Sequence, residues 1–211
     1  SKLTPHYDTP VYNTTTQQYD IGAIGFQQRS SGNRLVDIPQ CIIATEAINK
    51  KLTLVRDELR QEIGQQPPPP PDDDDDDSKK KRRKKKKGAT LLLRDVQEGV
   101  VTDPNRYVTT TVKNVSFSFQ AGNFFQNNPS MLGVMVNHVV DAATAAAKSK
   151  NNSTSTTRMT HLIDCYCGSG LFALTCATHF DTVVGIEIST KAVQDAGTNA
   201  NANGIEHCRF L

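Results

Sequence analysis

Between Leu162 and Glu187 the chain reads LIDCYCGSGLFALTCATHFDTVVGIE. A short apolar run, Leu162-Ile163, ends in Asp164, and the glycine turn Gly168-Ser169-Gly170 follows. A short helical stretch then leads to a second apolar run, Val183 to Ile186, which ends in Glu187. Strand, glycine-rich loop, helix, strand and acid is the order of a Rossmann-like half-domain for a nucleotide cofactor. The glycines let the backbone approach the ligand, and the second acid binds ribose hydroxyls. Ala192, Val193 and Ala196 continue as a second helix that Gly204 ends, and Arg209, Phe210 and Leu211 read as the opening of a third strand. The expectation is an α/β fold, a truncated Rossmann-like domain holding half of a doubly wound sheet, preceded by a small α+β region. With no Met at its start, the chain reads as a fragment of a longer protein, and its cut sheet is expected to expose an unpaired edge and associate.

Four regions are expected. Residues 1–64 form an N-terminal α+β region. Ser1 to Asn33 is rich in Thr, Gln, Gly and Tyr and reads as loops with room for one strand near Ile21 to Phe26. Leu35 to Ile38 is a short strand closed by Pro39. Ile48, Leu52, Val55, Leu59 and Ile63 fall on one helical face, with Thr45 as N-cap and Gly64 as stop. Residues 65–87, with five prolines, six aspartates and nine consecutive basic residues, form a disordered low-complexity insertion. Residues 88–128 are β-rich: Leu91 to Leu93, Val100-Val101, Val108 to Val112 and Val115 to Phe119 read as strands, with a turn at Asp103-Pro104-Asn105. Residues 129–211 hold the cofactor half. Asn128-Pro129 opens a helix whose buried stripe is Met131, Leu132, Met135, Val136, Val139, Val140 and Ala143, and the polar stretch Lys148 to Thr157 joins it to the first strand.

The formal charge of +2 conceals the acidic run Asp72 to Asp77 and the basic run Lys79 to Lys87; without them the chain is close to neutral and its composition does not argue for nucleic acid. The basic run reads either as a nuclear localisation signal or as an RNA-contacting arm. Five cysteines without a CxxC pair fit a reducing, intracellular compartment better than a disulfide framework. The five histidines show no metal spacing, and no apolar run approaches the roughly 18 residues of a membrane span, so neither a metal nor a membrane is expected.

Gly168 to Ala173 satisfies G-x-G-x-x-G/A, which brings a dinucleotide into consideration. Asp164, four residues before the first glycine, argues against it, because a carboxylate there repels a pyrophosphate. The same acid suits a ligand bearing an ammonium and a sulfonium, which favours S-adenosyl-L-methionine.

The stretch Asp164 to Phe172, followed by Gly185-Ile186-Glu187, Ala192-Val193 and Asn199-Ala200-Asn201, resembles the cofactor half of the RNA (uracil-5-)-methyltransferases. Upstream, Ala121-Gly122-Asn123-Phe124-Phe125-Gln126-Asn127-Asn128-Pro129 resembles that family's Phe-x-Gln-x-Asn segment. Leu3 to Asp8, Val36-Asp37-Ile38 with Cys41, and Ala44-Thr45 with Ile48-Asn49 are most similar to the fungal tRNA members. The resemblance implies methylation of uracil carbon 5 in tRNA, in the nucleus, the cytoplasm or a mitochondrion.

By resemblance, Glu187 would bind the ribose hydroxyls of the cofactor, Tyr166 would line its pocket, Gly168 and Gly170 would form the turn around it, and Gln126 would contact the cofactor or the target base. Phe124 would stack on a uracil flipped from the RNA. Leu171 stands where some bacterial members carry Asn, which removes one hydrogen bond to the cofactor. The family attacks uracil carbon 6 with a Cys thiolate and removes the carbon 5 proton with a Glu, and both lie beyond Leu211 in the family pattern. None of Cys41, Cys165, Cys167, Cys176 and Cys208 matches the nucleophile's motif, Cys165 and Cys167 read as packing residues, and the chain alone is expected to hold no catalytic residue and to be inactive. Two alternatives stay open: an S-adenosylmethionine enzyme acting on protein or a small molecule, and a non-catalytic RNA-binding module using the basic run.

Overall fold

The computed structural model describes residues 1–29, 34–69, 88–150 and 159–211. The expected low-complexity insertion lies outside the described residues from 70 to 87, its charged runs included, and so does the expected polar join from 151 onward. The chain divides into two compact units, Lys2–Asp95 with Gly99–Thr102, and Val96–Glu98 with Asp103–Leu211, so the β-rich stretch 88–128 is shared between them.

The first unit is built from short strands, β1 (Lys2–Leu3), β2 (His6–Tyr7), β3 (Val11–Asn13), β4 (Gln18–Asp20), β5 (Ile24–Gln27) and β6 (Leu35–Asp37), then helix α1 (Glu46–Gly64) and strands β7 (Ala89–Thr90), β8 (Leu93–Val96) and β9 (Gly99–Val101). Where the sequence suggested loops and one strand before residue 34, five strands form. They are two to four residues long and most pair with distant segments: β2 lies between β5 and β7 in the sheet β6-β5-β2-β7, and β1 pairs with β8. Pairings of this kind leave no local period-two signal. The exception is the β3-β4 hairpin, whose turn is set by Asn13, its Oδ1 accepting from the backbone N–H groups of Thr15 and Thr16. The strand expected at Leu91 to Leu93 begins instead at Leu93, because Leu91 turns its N–H to the Pro5 carbonyl.

Helix α1 starts and stops where its sequence indicates. Thr45 accepts from the Ile48 N–H, and the helix runs to Gly64. Ile48 and Leu52 pack with Leu3 and Leu93 into the core of this unit. One α1 residue breaks the apolar pattern. Arg56 is buried, donates to the Ile24 and Ile38 carbonyls, and forks onto both carboxylate oxygens of Asp37 at 2.9 and 2.7 Å. A buried guanidinium persists because both of its terminal nitrogens meet acceptors.

The second unit holds the hairpin β10 (Tyr107–Val112) and β11 (Val115–Gln120), helix α2 (Pro129–Lys150), strand β12 (Met159–Cys165), the short helix α3 (Leu171–Thr175), a single 3-10 turn, strand β13 (Phe180–Ile186), helix α4 (Thr190–Ala202) and strand β14 (Cys208–Phe210). β12, β13 and β14 form a parallel sheet in that order, Leu162 beside Val183 and Val183 beside Cys208. Parallel neighbours joined through α3 and α4 are the expected half of a doubly wound sheet. On one face, Leu162, Val183, Cys208 and Phe210 join a core with Ala173, Cys176, Phe180 and, from α2, Val139 and Val140. The opposite face carries Ile163 and Ile186, both exposed. On α2, Leu132 and Val136 are buried as expected, but Met131 is exposed, in the first turn of the helix. Among the described residues no helix is long and apolar enough to cross a membrane.

Candidate functional site

The C-terminal ends of β12 and β13 form one edge of the parallel sheet, and the glycine turn leaves β12 there. Tyr166, Gly168 and Gly170 all take left-handed backbone conformations, with φ of 63°, 55° and 92°. Gly170 is required twice over: its φ disfavours a side chain, and an added Cβ would press on Leu174 and Ala196. Gly168 is different, because a Cβ there would meet nothing within 4 Å, so the front of the turn stands open for a ligand to approach. Tyr166 is an aromatic residue held in a region that costs about 1–2 kcal/mol for an L side chain, and it is 90 % exposed. Such outliers concentrate at ligand clamps.

Two carboxylates organise the turn. Asp164, at the end of β12, accepts from the Ala173 N–H at 2.9 Å and so caps the first turn of α3. Burial holds its carboxyl above the usual carboxylate range, against the smaller opposing effect of that bond. The carboxylate occupies the helix end at which a pyrophosphate would otherwise seat. Glu187, just past β13, accepts from the Gly168 N–H on one oxygen at 3.1 Å and from the Ser189 N–H on the other at 2.9 Å. A carboxylate has about four acceptor positions, so each oxygen keeps one for a hydroxyl pair.

Beside Glu187 lies an open groove of about 490 Å³, walled by Cys165, Tyr166, Ile186, Ile188 and Leu211. Apolar walls with one acid at the rim suit a flat heterocycle attached to a vicinal diol. The structure thus places Tyr166 and Glu187 on one groove, with Gly168 behind them bonded to Glu187, while Gly170 serves the packing of α3. Ile188, Leu211 and Cys165 were not foreseen as lining. Ile188 belongs to no periodic pattern, and the only signal for it is its position directly after the acid. Cys165 is exposed on the groove wall and is not the packing residue expected, because it sits on the uncovered face of the sheet; Cys167 is buried as expected.

Phe124 and Gln126 stand on the loop after β11, outside the lining of this groove. That loop is folded back by backbone bonds from Ala121 to Arg106 and from Gly122 to Pro104. It is anchored by Phe125, which is buried, stacks on Phe119 with ring centroids 4.4 Å apart, and tilts against Phe117. Phe124 is turned outward and is 74 % exposed, and Gln126 is half-buried. Of the two adjacent phenylalanines, one is core and the other is free to stack on something else.

The buried thiols near the turn are not activated. Burial, with Asp164 and Glu187 adding to it, pushes Cys167 up to about 11; burial alone pushes Cys208 up to about 11, and Cys176 is also raised. A thiolate nucleophile needs the opposite environment.

Comparison with known proteins bears on the family and the fold. The family model described as tRNA (Uracil-5-)-methyltransferase matches residues 79–211. The tRNA (uracil(54)-C(5))-methyltransferase of Saccharomyces cerevisiae is 32% identical over an alignment that takes in 100% of this chain and 37% of the yeast protein. The enzyme of the same name from Schizosaccharomyces pombe is also 32% identical, over 100% of this chain and 36% of its own length. The chain therefore spans little more than a third of these relatives. Among solved structures, the Pyrococcus abyssi tRNA (uracil-54, C5)-methyltransferase, crystallised with S-adenosyl-L-homocysteine, superposes with a TM-score of 0.59 at 15% identity, over 100% of this chain and 54% of the other. That likeness establishes the Rossmann-like fold.

Proposed function

The chain belongs to the tRNA (uracil-5-)-methyltransferase family, and on that premise we propose that the protein transfers a methyl group from S-adenosyl-L-methionine to carbon 5 of a uracil in tRNA. The observation that carries this reading is Glu187, which bridges the N–H groups of Gly168 and Ser189 at the rim of an apolar groove. The residues present fit the cofactor: Glu187 keeps acceptor positions for the ribose diol, Tyr166 and Ile188 offer apolar surface to the adenine, and Gly168 leaves the turn open. Asp164 on the first turn of α3 disfavours a dinucleotide pyrophosphate at the same place.

When bound, S-adenosyl-L-methionine supplies an electrophilic methyl group on sulfur. The chain's own residues orient it and present the base. Phe124 stacks on the extruded uracil, at an energy of about 1–3 kcal/mol for a base on an aromatic ring, while Phe125 fixes the loop that carries it. Gln126 reaches the target base or the cofactor from that loop. Carbon 5 of uracil is a weak nucleophile, and attack of a thiolate at carbon 6 converts it into an enolate carbon. Cys167, Cys176 and Cys208 are held as thiols, and in this reading the thiolate and the base that removes the carbon 5 proton come from elsewhere in the complete protein. The chain alone then leaves tRNA unmethylated. The substrate occurs in nucleus, cytoplasm and mitochondrion, and the reading holds for each.

The test is the 5-methyluridine content of tRNA from cells with and without the gene, by mass spectrometry of digested nucleosides. Loss of 5-methyluridine on deletion supports the reading; an unchanged content, with no second enzyme present, contradicts it.

A further inference from the structure

We propose that Asn199 is a positioning residue for this reaction, one amide that ties the cofactor turn to the hairpin carrying Phe124; the proposal rests on the reading above. Asn199 is 1 % exposed. Its Oδ1 accepts from the Ser118 N–H of β11 at 2.8 Å, and its Nδ2 donates to the Ser169 carbonyl, the middle residue of the glycine turn, at 3.1 Å. The two partners fix which end of the amide is which, since the reversed orientation would set donor against donor and carbonyl against carbonyl.

One turn further on, at the C-cap of α4, Asn203 makes the purely structural version of the same contact. Its Oδ1 accepts from the Ser116 N–H at 2.9 Å and its Nδ2 donates to the Ser116 carbonyl at 2.7 Å, closing a ring of two bonds as a neighbouring strand would. The spacings match for a physical reason: four residues of helix rise about 6 Å, and two residues of strand about 6.6 Å. Asparagines at i in α4 and at i+4, its C-cap, therefore meet Ser118 and Ser116 at i and i−2 on β11. The helix pairs the edge of β11 that β10 leaves open, and only Asn199 extends that pairing to the glycine turn.

The consequence is geometric. Gly168, next to Ser169, donates to Glu187, which is the cofactor side; Gln120, two residues past Ser118, ends the strand that leads directly to Phe124. Asn199 sits between the two and touches neither cofactor nor base. Its place is to hold the turn in register with the hairpin, and with it the base-stacking loop.

The discriminating experiment compares Asn199→Asp with Asn203→Asp in the complete protein. Each keeps the acceptor to β11 and loses the amide donor, but only the first loses the bond to Ser169. Affinity for S-adenosyl-L-homocysteine, by calorimetry, is expected to fall roughly tenfold for Asn199→Asp and less than about twofold for Asn203→Asp, with both variants folded by circular dichroism. Equal affinities in the two variants overturn the proposal. If Asn199→Asp does not fold, Asn199→Ser takes its place under the same criterion. A double-mutant cycle with Phe124→Ala on kcat/KM for tRNA is expected to be non-additive, since a residue with only a folding role gives additive losses. Wild-type protein that binds S-adenosyl-L-homocysteine but leaves tRNA unmethylated would remove the functional reading, and the calorimetric comparison would still decide the role of Asn199. Wild-type protein that does not bind it would remove both.

Discussion

Gly168 donates its backbone N–H to Glu187 Oε2 at 3.1 Å across 19 residues of sequence, so the glycine turn and the second-strand acid are one unit. The other oxygen of the same carboxylate holds the Ser189 N–H, where α4 begins. Replacing Glu187 therefore does two things at once: it removes the acceptor proposed for the ribose and loosens the turn. Glu187→Gln should weaken S-adenosyl-L-homocysteine by about 1.5–3 kcal/mol, the range for a hydrogen bond to a charged group, or roughly ten- to a hundredfold. Calorimetry with the complete protein checks this, and wild-type affinity in the variant would show that the carboxylate does not touch the ligand.

Phe124 and Phe125 should separate cleanly. Phe124→Ala removes an exposed ring and should leave the thermal midpoint almost unchanged, within about 0.5 kcal/mol, while lowering kcat/KM for tRNA. Phe125→Ala removes the ring stacked on Phe119 and should cost about 3–5 kcal/mol of stability. Denaturant titration and methyl transfer, measured on both variants, distinguish the roles; a stability loss in Phe124→Ala matching that in Phe125→Ala would contradict them.

Arg56 and Asp37 give the N-terminal unit a pH-dependent tie. The Arg56 bond holds the Asp37 carboxyl below the usual carboxylate range. The folded value lies below the unfolded one, near 3.9, so the contribution is fully present above that pH and is lost as pH falls through the lower folded value. The thermal midpoint should drop on acidification below about pH 4, and Asp37→Asn should flatten that limb. Asp164 acts with the opposite sign, since its folded carboxyl is raised, so the difference between wild type and Asp37→Asn isolates the pair. Arg56→Met removes the bonds to Asp37 and to the Ile24 and Ile38 carbonyls, while Arg60 and the Ile24 N–H still hold Asp37, and should cost about 1.5–3 kcal/mol.

Thiol chemistry should follow burial. With Cys167 and Cys208 both held near 11, roughly one in a thousand of either is thiolate at pH 8. Exposed Cys165 should be alkylated by iodoacetamide well before them, as peptide mass spectrometry would show. Cys167→Ala should retain methyl transfer; its complete loss in a folded variant would make this thiol the nucleophile after all.

The cofactor unit was legible because its signals are local. Asp164, the glycines, the run from Val183 and the acid Glu187 lie within one stretch, in the order strand, loop, helix, strand and acid. The β3-β4 hairpin shows the limit of local reading, for its strands are three residues long and mostly polar. Arg56 was invisible because a lone cation at a core position acquires meaning only through Asp37, 19 residues away, and two backbone carbonyls. The roles of Asn199 and Asn203 were hidden likewise: their spacing of four was plain, but their partners lie 81 and 87 residues upstream.

The measurement that tests the central claim most directly is transfer of labelled methyl from S-adenosyl-L-methionine to unmodified tRNA, run side by side with the complete protein and with this chain. The account predicts label on uracil carbon 5 from the complete protein and none from the chain alone. Unlabelled tRNA from the complete protein would contradict the substrate assignment, and label from the chain alone would show that its own cysteines suffice.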